Sequence, residues 1–302
     1  MPDRFETMSI LISVIDAGSL TAGAKALRMP IATVSRRISD LEQQLGTELL
    51  LRSPRGLTLT DTGVAYAAAC RKIIDEVNEA ERAASGEFTS PKGKLTMTAP
   101  IVFGRLHVLP AINSFLMAYP EVSVDLEQTD RPVNLLEEHL DLAVRIGPLA
   151  DSPLKARRLG EIRQVVVASP DYLENKGRPL KPTDLCDFDC ISFRSLVGVS
   201  YWDFFDEPKK MTVPVPTRLA VNTAEAAVLA AEEGVGVTRV LCYQVADALR
   251  AGRLQLILED YELPPWPVHM LYEDRSLIPQ KIRAFLDFAA PRISKELALA
   301  LV

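Results

Sequence analysis

Residues 17–63 read AGSLTAGAKALRMPIATVSRRISDLEQQLGTELLLRSPRGLTLTDTG, and this stretch decides the fold of the N-terminal part. Ala17-Gly18-Ser19 ends a first helix that begins near Asp3 and carries Phe5, Met8, Leu11, Ile12 and Ile15 at helical spacing. Gly18 suits a left-handed C-terminal position, and Ser19 or Thr21 caps the next helix, Thr21 to Leu27. Ala22, Ala24 and Ala26 in that helix are small enough for close helix approach. Arg28-Met29-Pro30 is the turn, since proline cannot continue the helix before it but fits the start of the one after. A third helix follows from about Ile31 to Leu45, with Val34, Ile38, Leu41 and Leu45 as its core stripe. Gly46 stops it, and Glu48 to Thr60 reads as a two-stranded wing with Arg52 and Arg55 near its tip. This order is the layout of a winged helix-turn-helix, which sets its third helix in a DNA major groove. The expected DNA contacts are Arg28, Pro30, Ile31, Ala32, Thr33, Ser35, Arg36 and Arg37. Arg52 and Arg55 would reach phosphate or the minor groove.

Charge agrees locally. Lys25 to Ser39 holds four basic residues and no acidic one, whereas residues 1–62 hold seven of each sign. The 302-residue chain carries a net charge of −6, which argues against broad polyanion binding and for a focused basic patch. An apolar content of 48% supports cores for two to three compact units. The early apolar run Met8 to Ile15 lacks a basic flank and meets Asp16, so no export signal is read; no stretch is read as long enough to cross a membrane. The expected location is the cytoplasm. Its reducing conditions argue against structural disulfides among Cys70, Cys186, Cys190 and Cys242. Cys186 and Cys190 are spaced more widely than a C-x-x-C pair, and a redox role there competes with simple burial of Cys190. His107, His139 and His269 have no metal spacing, and Gly234-Val235-Gly236 lacks the third glycine of a dinucleotide loop. With no nucleophile elbow or phosphate loop, the sequence points to no enzyme, no metal and no cofactor.

From Thr62 to about Ala84 the chain has no proline, and its one glycine, Gly63, stands at the start. Tyr66, Cys70, Ile73, Val77, Ala80 and Ala84 follow alternating steps of four and three, a heptad seam. The competing reading is an amphipathic helix packed on its own domain. A dimer is preferred because two heads reading an inverted repeat need a two-fold partner, with Tyr66, Cys70, Ile73, Val77 and Ala80 at the interface. Residues 85–93 then read as a hinge. From Lys94 onward strand-like and helix-like segments alternate, including a helix over Val133 to Glu138, one strand over Ile162 to Ala168, and a terminal helix that Pro291 can interrupt. That alternation predicts an α/β fold with mainly parallel sheets.

Ala24-Lys25-Ala26-Leu27, Thr33-Val34-Ser35-Arg36-Arg37-Ile38, Leu45-Gly46 and Leu57-Thr58-Leu59-Thr60-Asp61-Thr62-Gly63 closely resemble the N-terminal signature of LysR-type transcriptional regulators. Asp141 to Gly147, Ala168 to Leu173, and Gly234-Val235-Gly236 with Ala251 to Leu254 resemble the same family's effector domain, so the likeness spans the chain. One departure is the apolar start of the third helix, Pro30-Ile31-Ala32, which shifts base contacts toward Thr33, Ser35, Arg36 and thymine methyl groups.

The resemblance implies a winged helix-turn-helix over residues 1–61, a dimerisation helix and hinge over 62–89, and an effector domain over 90–302. The last would have the type 2 periplasmic-binding-protein fold, with lobe I at 93–163 and 268–302 and lobe II at 164–267. A small-molecule effector, with an anion or carboxylate as candidate class, would bind between the lobes near helix N-termini. Candidate contacts on lobe I are Thr98, Ala99, Pro100, Ile101, Phe103, Thr129, Arg145 and Gly147; on lobe II they are Tyr201, Trp202, Asn222, Thr223, Gly236 and Thr238. Asn222 reads equally as a helix cap, and Trp202 equally as core. The implied partners are an inverted-repeat operator in double-stranded DNA, a second copy and often a tetramer, and RNA polymerase as a further candidate. Two other readings stay open: a cytoplasmic solute-binding sensor, and a redox-responsive regulator using Cys186 and Cys190.

Overall fold

In the N-terminal head, Asp3 caps α1 (Arg4–Asp16) by accepting from the Phe5 amide, and Ser19 caps α2 (Leu20–Ala26) by accepting from the Ala22 amide. The computed structural model describes residues 3–53, 56–85, 90–135, 137–149, 152–193, 201–274 and 278–300. The chain divides into two compact units, Met1–Ser90 and Pro91–Val302. In the first, α3 (Ile31–Leu45) is capped by Pro30 and ends at Gly46 in the left-handed conformation. The hairpin β1 (Leu50–Ser53) and β2 (Gly56–Leu59) follows, then α4 (Asp61–Ser85). Ile10, Leu11, Val14, Ala24, Val34, Ile38, Leu41, Leu49 and Leu50 form the head core. The core stripe of α3 stops at Leu41, because Leu45 lies past the packed turns and is 39% exposed. Close approach of α1 and α2 comes from Gly23 rather than Ala22 and Ala26, which are exposed; a Cβ on Gly23 would lie 2.7 Å from the Val14 Cα. The Glu42 carboxylate accepts from the Leu49 and Leu50 amides at 2.8 and 3.0 Å, tying α3 to the root of the hairpin.

The second unit holds two five-stranded sheets. The first contains β3 (Gly93–Ala99), β4 (Val122–Gln128), β5 (Leu142–Ile146) and β6 (Leu154–Ile162), joined by a strand that arrives last in the chain. Between β3 and β4, α5 (Ile101–Phe103) runs through a π turn at Gly104–Val108 into α6 (Leu109–Ala118). That continuous helix is long and apolar enough to span a bilayer, a length the sequence reading did not find. Val102, Phe103, Val108, Ala111, Ile112 and Phe115 are nevertheless buried in the lobe core, so its apolar face is accounted for by packing. Residues 133–135 and 137–138 are turn and coil where a helix was expected; Leu135 instead packs on Ala143 and Leu271 across the sheet face.

Arg163 separates β6 from β7 (Gln164–Ala168), so the single expected strand is two strands in two different sheets. The second sheet adds β8 (Cys190–Phe193), reached through α7 (Pro170–Lys176) and a 3-10 turn, and β9 (Tyr201–Asp206) and β10 (Lys209–Pro214) form a separate hairpin. β11 (Thr217–Val221), α8 (Ala224–Glu232), β12 (Val237–Leu241), α9 (Cys242–Arg250) and β13 (Gln255–Ile257) complete the lobe. The chain then returns as β14 (Trp266–Glu273) between β5 and β6 and ends in α10 (Gln280–Ala300). The return therefore precedes Trp266, which pairs with Ile162, and the first lobe takes Trp266 and Pro267 that the sequence reading gave to the second. Both sheets are mixed: β14 and β12 each run antiparallel to their neighbours β5 and β7. α10 passes Pro291 without a break, because Phe285, Ala289, Ala290, Ile293 and Leu297 are buried on either side of it.

Candidate DNA and effector sites

On α3 the buried residues Val34, Ile38 and Leu41 face the head core and turn the other faces outward. Ile31, Ala32 and Arg36 are exposed, with Thr33 and Ser35 half-buried beside them. Arg28 stands exposed before them in the left-handed conformation, φ 53°, where it closes α2; its amide donates to the Lys25 carbonyl. Pro30 has no amide hydrogen to lose at the cap. Arg37 is placed differently from Arg36, because its guanidinium pairs with Glu6 on α1. The side chain of Arg52, the whole of Arg55 and the side chain of Ala80 lie outside the described residues.

Along α4 the seam divides. Cys70 is fully buried within its own unit, and the partly buried Tyr66 packs on the head core. Ile73 is exposed and Val77 half-buried on the next turns.

In lobe I the strand registers bring the candidate residues to one edge. Ala99 pairs with Gln128 and Thr98 with Ala143, which sets Pro100, Thr129 and Arg145 side by side where β3, β4 and β5 end. Thr98 is fully buried there, and its hydroxyl has no hydrogen-bond partner. Arg145 is half-buried, its Nη2 also lacks a partner, and burial holds its guanidinium below the usual arginine range. The Thr129 hydroxyl accepts from the Arg131 amide. The Ile101 amide, expected to be open to an anion, donates to the Asp130 carboxylate at 3.1 Å. Ala99 and Phe103 are not cleft residues: both are fully buried in the lobe core. Gly147 has φ 107° and donates its amide to the Pro267 carbonyl, which gives it a place in the chain's return rather than at the edge.

In lobe II, β8 and β11 end together at Phe193 and Val221, and Asn222 lies exposed just beyond. Thr223 caps α8, its hydroxyl accepting from the Ala226 amide. Tyr201 is exposed at the start of β9. Trp202 is 5% exposed in the core under that hairpin, with the Arg239 guanidinium 5.5 Å above its ring. The Arg239 Nη1 donates to the Asp203 carbonyl, and burial brings that guanidinium down to about 10. Gly236 sits at the opposite end of the sheet from Phe193, where a Cβ would strike the Asp189 carbonyl. Thr238 is buried mid-strand, donating to the Ile191 carbonyl. Thus Trp202, Gly236 and Thr238 shape the lobe and do not line an opening.

The two lobes meet beside this edge. Tyr243 of α9 stands edge-on to Phe103 at 5.5 Å and near His107 at 5.7 Å, while Arg105 lies 3.6 Å from Glu225 in the first turn of α8. The two crossing segments are clasped by Arg163, whose Nε and Nη2 donate to Glu262 at 2.8 Å each.

Residues 5–64 match the model of the bacterial regulatory helix-turn-helix protein, lysR family, and residues 89–294 match the LysR substrate binding domain. The chain belongs to the LysR family. This LysR-family chain is 33% identical over 288 residues to an HTH-type transcriptional repressor of Pseudomonas aeruginosa, covering 95% of the chain and 91% of the relative. It is 29% identical to the Escherichia coli HTH-type transcriptional activator AaeR, covering 94% and 92%. The full-length Vibrio cholerae virulence activator AphB superposes with a TM-score of 0.60 at 26% identity, covering 95% of this chain and 98% of that one. CrgA, a LysR-type regulator from Neisseria meningitidis, gives 0.61 at 27%, covering 97% and 98%. The LysR-family protein is therefore a DNA-binding transcriptional regulator with an effector-binding domain.

Sequence reasoning missed Asp130, Arg131, Glu138, Arg163 and Glu262, charged residues in loops or crossings, and also Arg239 within β12 and Tyr243 in the first turn of α9. Only the adjacency of Asp130 to the predicted contact Thr129 was a signal. Of the cysteines, Cys190 is fully buried and burial pushes its thiol up to about 12, whereas Cys186 is exposed. A thiol so held is a poor nucleophile at neutral pH. The burial reading of Cys190 is the one the structure favours.

Proposed function

We propose that this regulator binds an interrupted inverted repeat as a dimer, each head laying α3 in the major groove. Arg28, Pro30, Ile31, Ala32, Thr33, Ser35 and Arg36 meet the DNA; Arg52 and Arg55 reach the backbone from the hairpin. Arg37 has its first duty in bracing α1. The observation that carries this reading is the division of α3. One face is locked in the head core by Val34, Ile38 and Leu41, and the exposed N-terminal end carries Ile31, Ala32 and Arg36. Recognition helices present base-reading residues in that way. Ile73 and Val77 supply the apolar part of an α4–α4 contact, which also permits assembly into tetramers. A small anionic effector binds between the two strand-end edges and changes the closure of the lobes, and so the spacing of the paired heads. RNA polymerase is the partner through which a bound regulator acts at a promoter. The protein works in the cytoplasm and carries out no catalysis.

The test is the Arg36→Ala variant on operator DNA recovered from the organism's own genome. Fluorescence anisotropy should show a loss of roughly tenfold or more and a salt slope smaller by about one. An affinity equal to wild type would remove α3 from the interface.

A further inference from the structure

By register, Glu127, Thr98 and Ala143 stand in one row across β4, β3 and β5, and Arg145 follows two residues beyond Ala143 on the same face. This face is opposite to the one carrying Leu95, Met97 and Ala99, which is sealed by α6 and α10. Arg145 therefore lies at the open end of a strand, on the side where Leu135 packs on Ala143. Three carboxylates act on its charge: Glu138, Asp130 and Glu127. Each is already engaged elsewhere. Glu138 accepts from Arg131 at 2.7 and 2.9 Å, Glu127 accepts from Arg131 at 3.3 Å, and Asp130 accepts from the Ile101 amide. Arg145 keeps a buried Nη2 without an acceptor, and the Thr98 hydroxyl, fully buried on the same face, has none either.

Buried donors without acceptors are rare, and a buried guanidinium is the costliest of them. Two such donors on one face, beside the likewise unpartnered Nδ1 of His269 directly across from Arg145 on β14, define what is missing: an acceptor with negative charge and more than one oxygen. We propose that the effector carries a carboxylate that Arg145 binds, with Thr98 donating to the same group, and that the N-terminus of α5 is closed to it by Asp130. This rests on the reading of the domain as an effector sensor and moves the anion from the helix terminus to the end of β5. A guanidinium presents paired donors that match a carboxylate. The surroundings select a singly charged group over a phosphate ester, since Glu127, Asp130 and Glu138 outnumber Arg131 and Arg145. Asp130 acts as the chain's own carboxylate on the helix, so specificity lies with Arg145.

The test compares the full-length wild type with Arg145→Met, which keeps the length of the side chain without its charge, and with Thr98→Val. Arg145 keeps a buried donor without a hydrogen-bond acceptor in the free protein, a cost that methionine does not carry, so Arg145→Met should melt at the wild-type temperature or up to roughly 2–4 °C higher without ligand. A variant melting several degrees lower would make Arg145 a structural cation and overturn the assignment. The second readout is operator binding in the presence of the anionic fraction of a cell metabolite extract, separated by anion exchange and treated with phosphatase. Wild type should respond, Arg145→Met should lose the response, and Thr98→Val should need several-fold more extract. If Arg145→Met responds like wild type, the anchor is wrong and the sensor reading stands. If phosphatase abolishes the wild-type response, the ligand is a phosphate ester and the carboxylate is wrong. A wild type that answers neither the anionic nor the neutral fraction would overturn the sensor reading and this inference with it.

Discussion

Gly23 shows how one missing side chain sets the geometry of the head. A Cβ there would lie 2.6 Å from the Val14 Cγ2 and 2.7 Å from its Cα, so α1 and α2 would have to part. Gly23→Ala should destabilise the protein by about 1–3 kcal/mol, read by urea unfolding, with weaker DNA binding as a consequence. Arg36 and Arg37 are neighbours in sequence with different duties: Arg37→Ala should cost less DNA affinity than Arg36→Ala, because its guanidinium is held by Glu6. Among the cysteines, Cys186 should react with Ellman's reagent in the native protein, and Cys190 only after unfolding. Native labelling of Cys190 would contradict its burial. At this scale the sequence told which residue types stand near strand ends, and Thr98, Thr129 and Arg145 do meet there. It did not tell which way each side chain turns. Ala99, Phe103 and Trp202 follow the same strand-to-loop pattern yet turn into cores, since burial depends on partners far away in the chain.

Elements were legible where a period or a stop residue marked them. α1, α3 and α4 carry apolar residues at helical spacing, and Gly46 ends α3 in the left-handed conformation. The seam of α4 was legible as a stripe, but the same spacing fits packing on its own head: Cys70 is fully buried and Tyr66 packs partly on the head core. Ile73→Asp should therefore dissociate the dimer in sedimentation equilibrium while leaving the head folded by circular dichroism; an unchanged mass would move the interface elsewhere. The run Ile162 to Ala168 read as one strand, although the polar pair Arg163-Gln164 marks the point where the chain passes between two sheets. Pro291 misled in the other direction. A proline inside a helix costs about 3 kcal/mol, and the buried face around it outweighs that cost. At the lobe crossings, Glu262→Gln weakens the two-pronged bond from Arg163. We expect roughly 1–2 kcal/mol lower stability and a wider spread of lobe separations in small-angle scattering.

For the whole molecule, the excess of acidic residues makes general attraction to DNA weak, so under the proposed function the exposed N-terminal end of α3 carries much of the affinity. The second unit carries Thr98, Arg145 and His269 at one lobe edge, each with a buried polar atom that lacks a hydrogen-bond partner, and the proposed ligand would satisfy them. Relatives named as a repressor and as an activator are each similar over more than nine-tenths of this chain, so the fold alone does not set the sign of regulation. The most direct measurement is to incubate the purified chain with sheared DNA from its own genome near physiological salt, with and without the anionic metabolite fraction, and sequence what is retained. The account predicts sharp enrichment of an interrupted inverted repeat beside a promoter, with occupancy or spacing altered by the metabolites. Retention no better than bulk DNA under both conditions would contradict it.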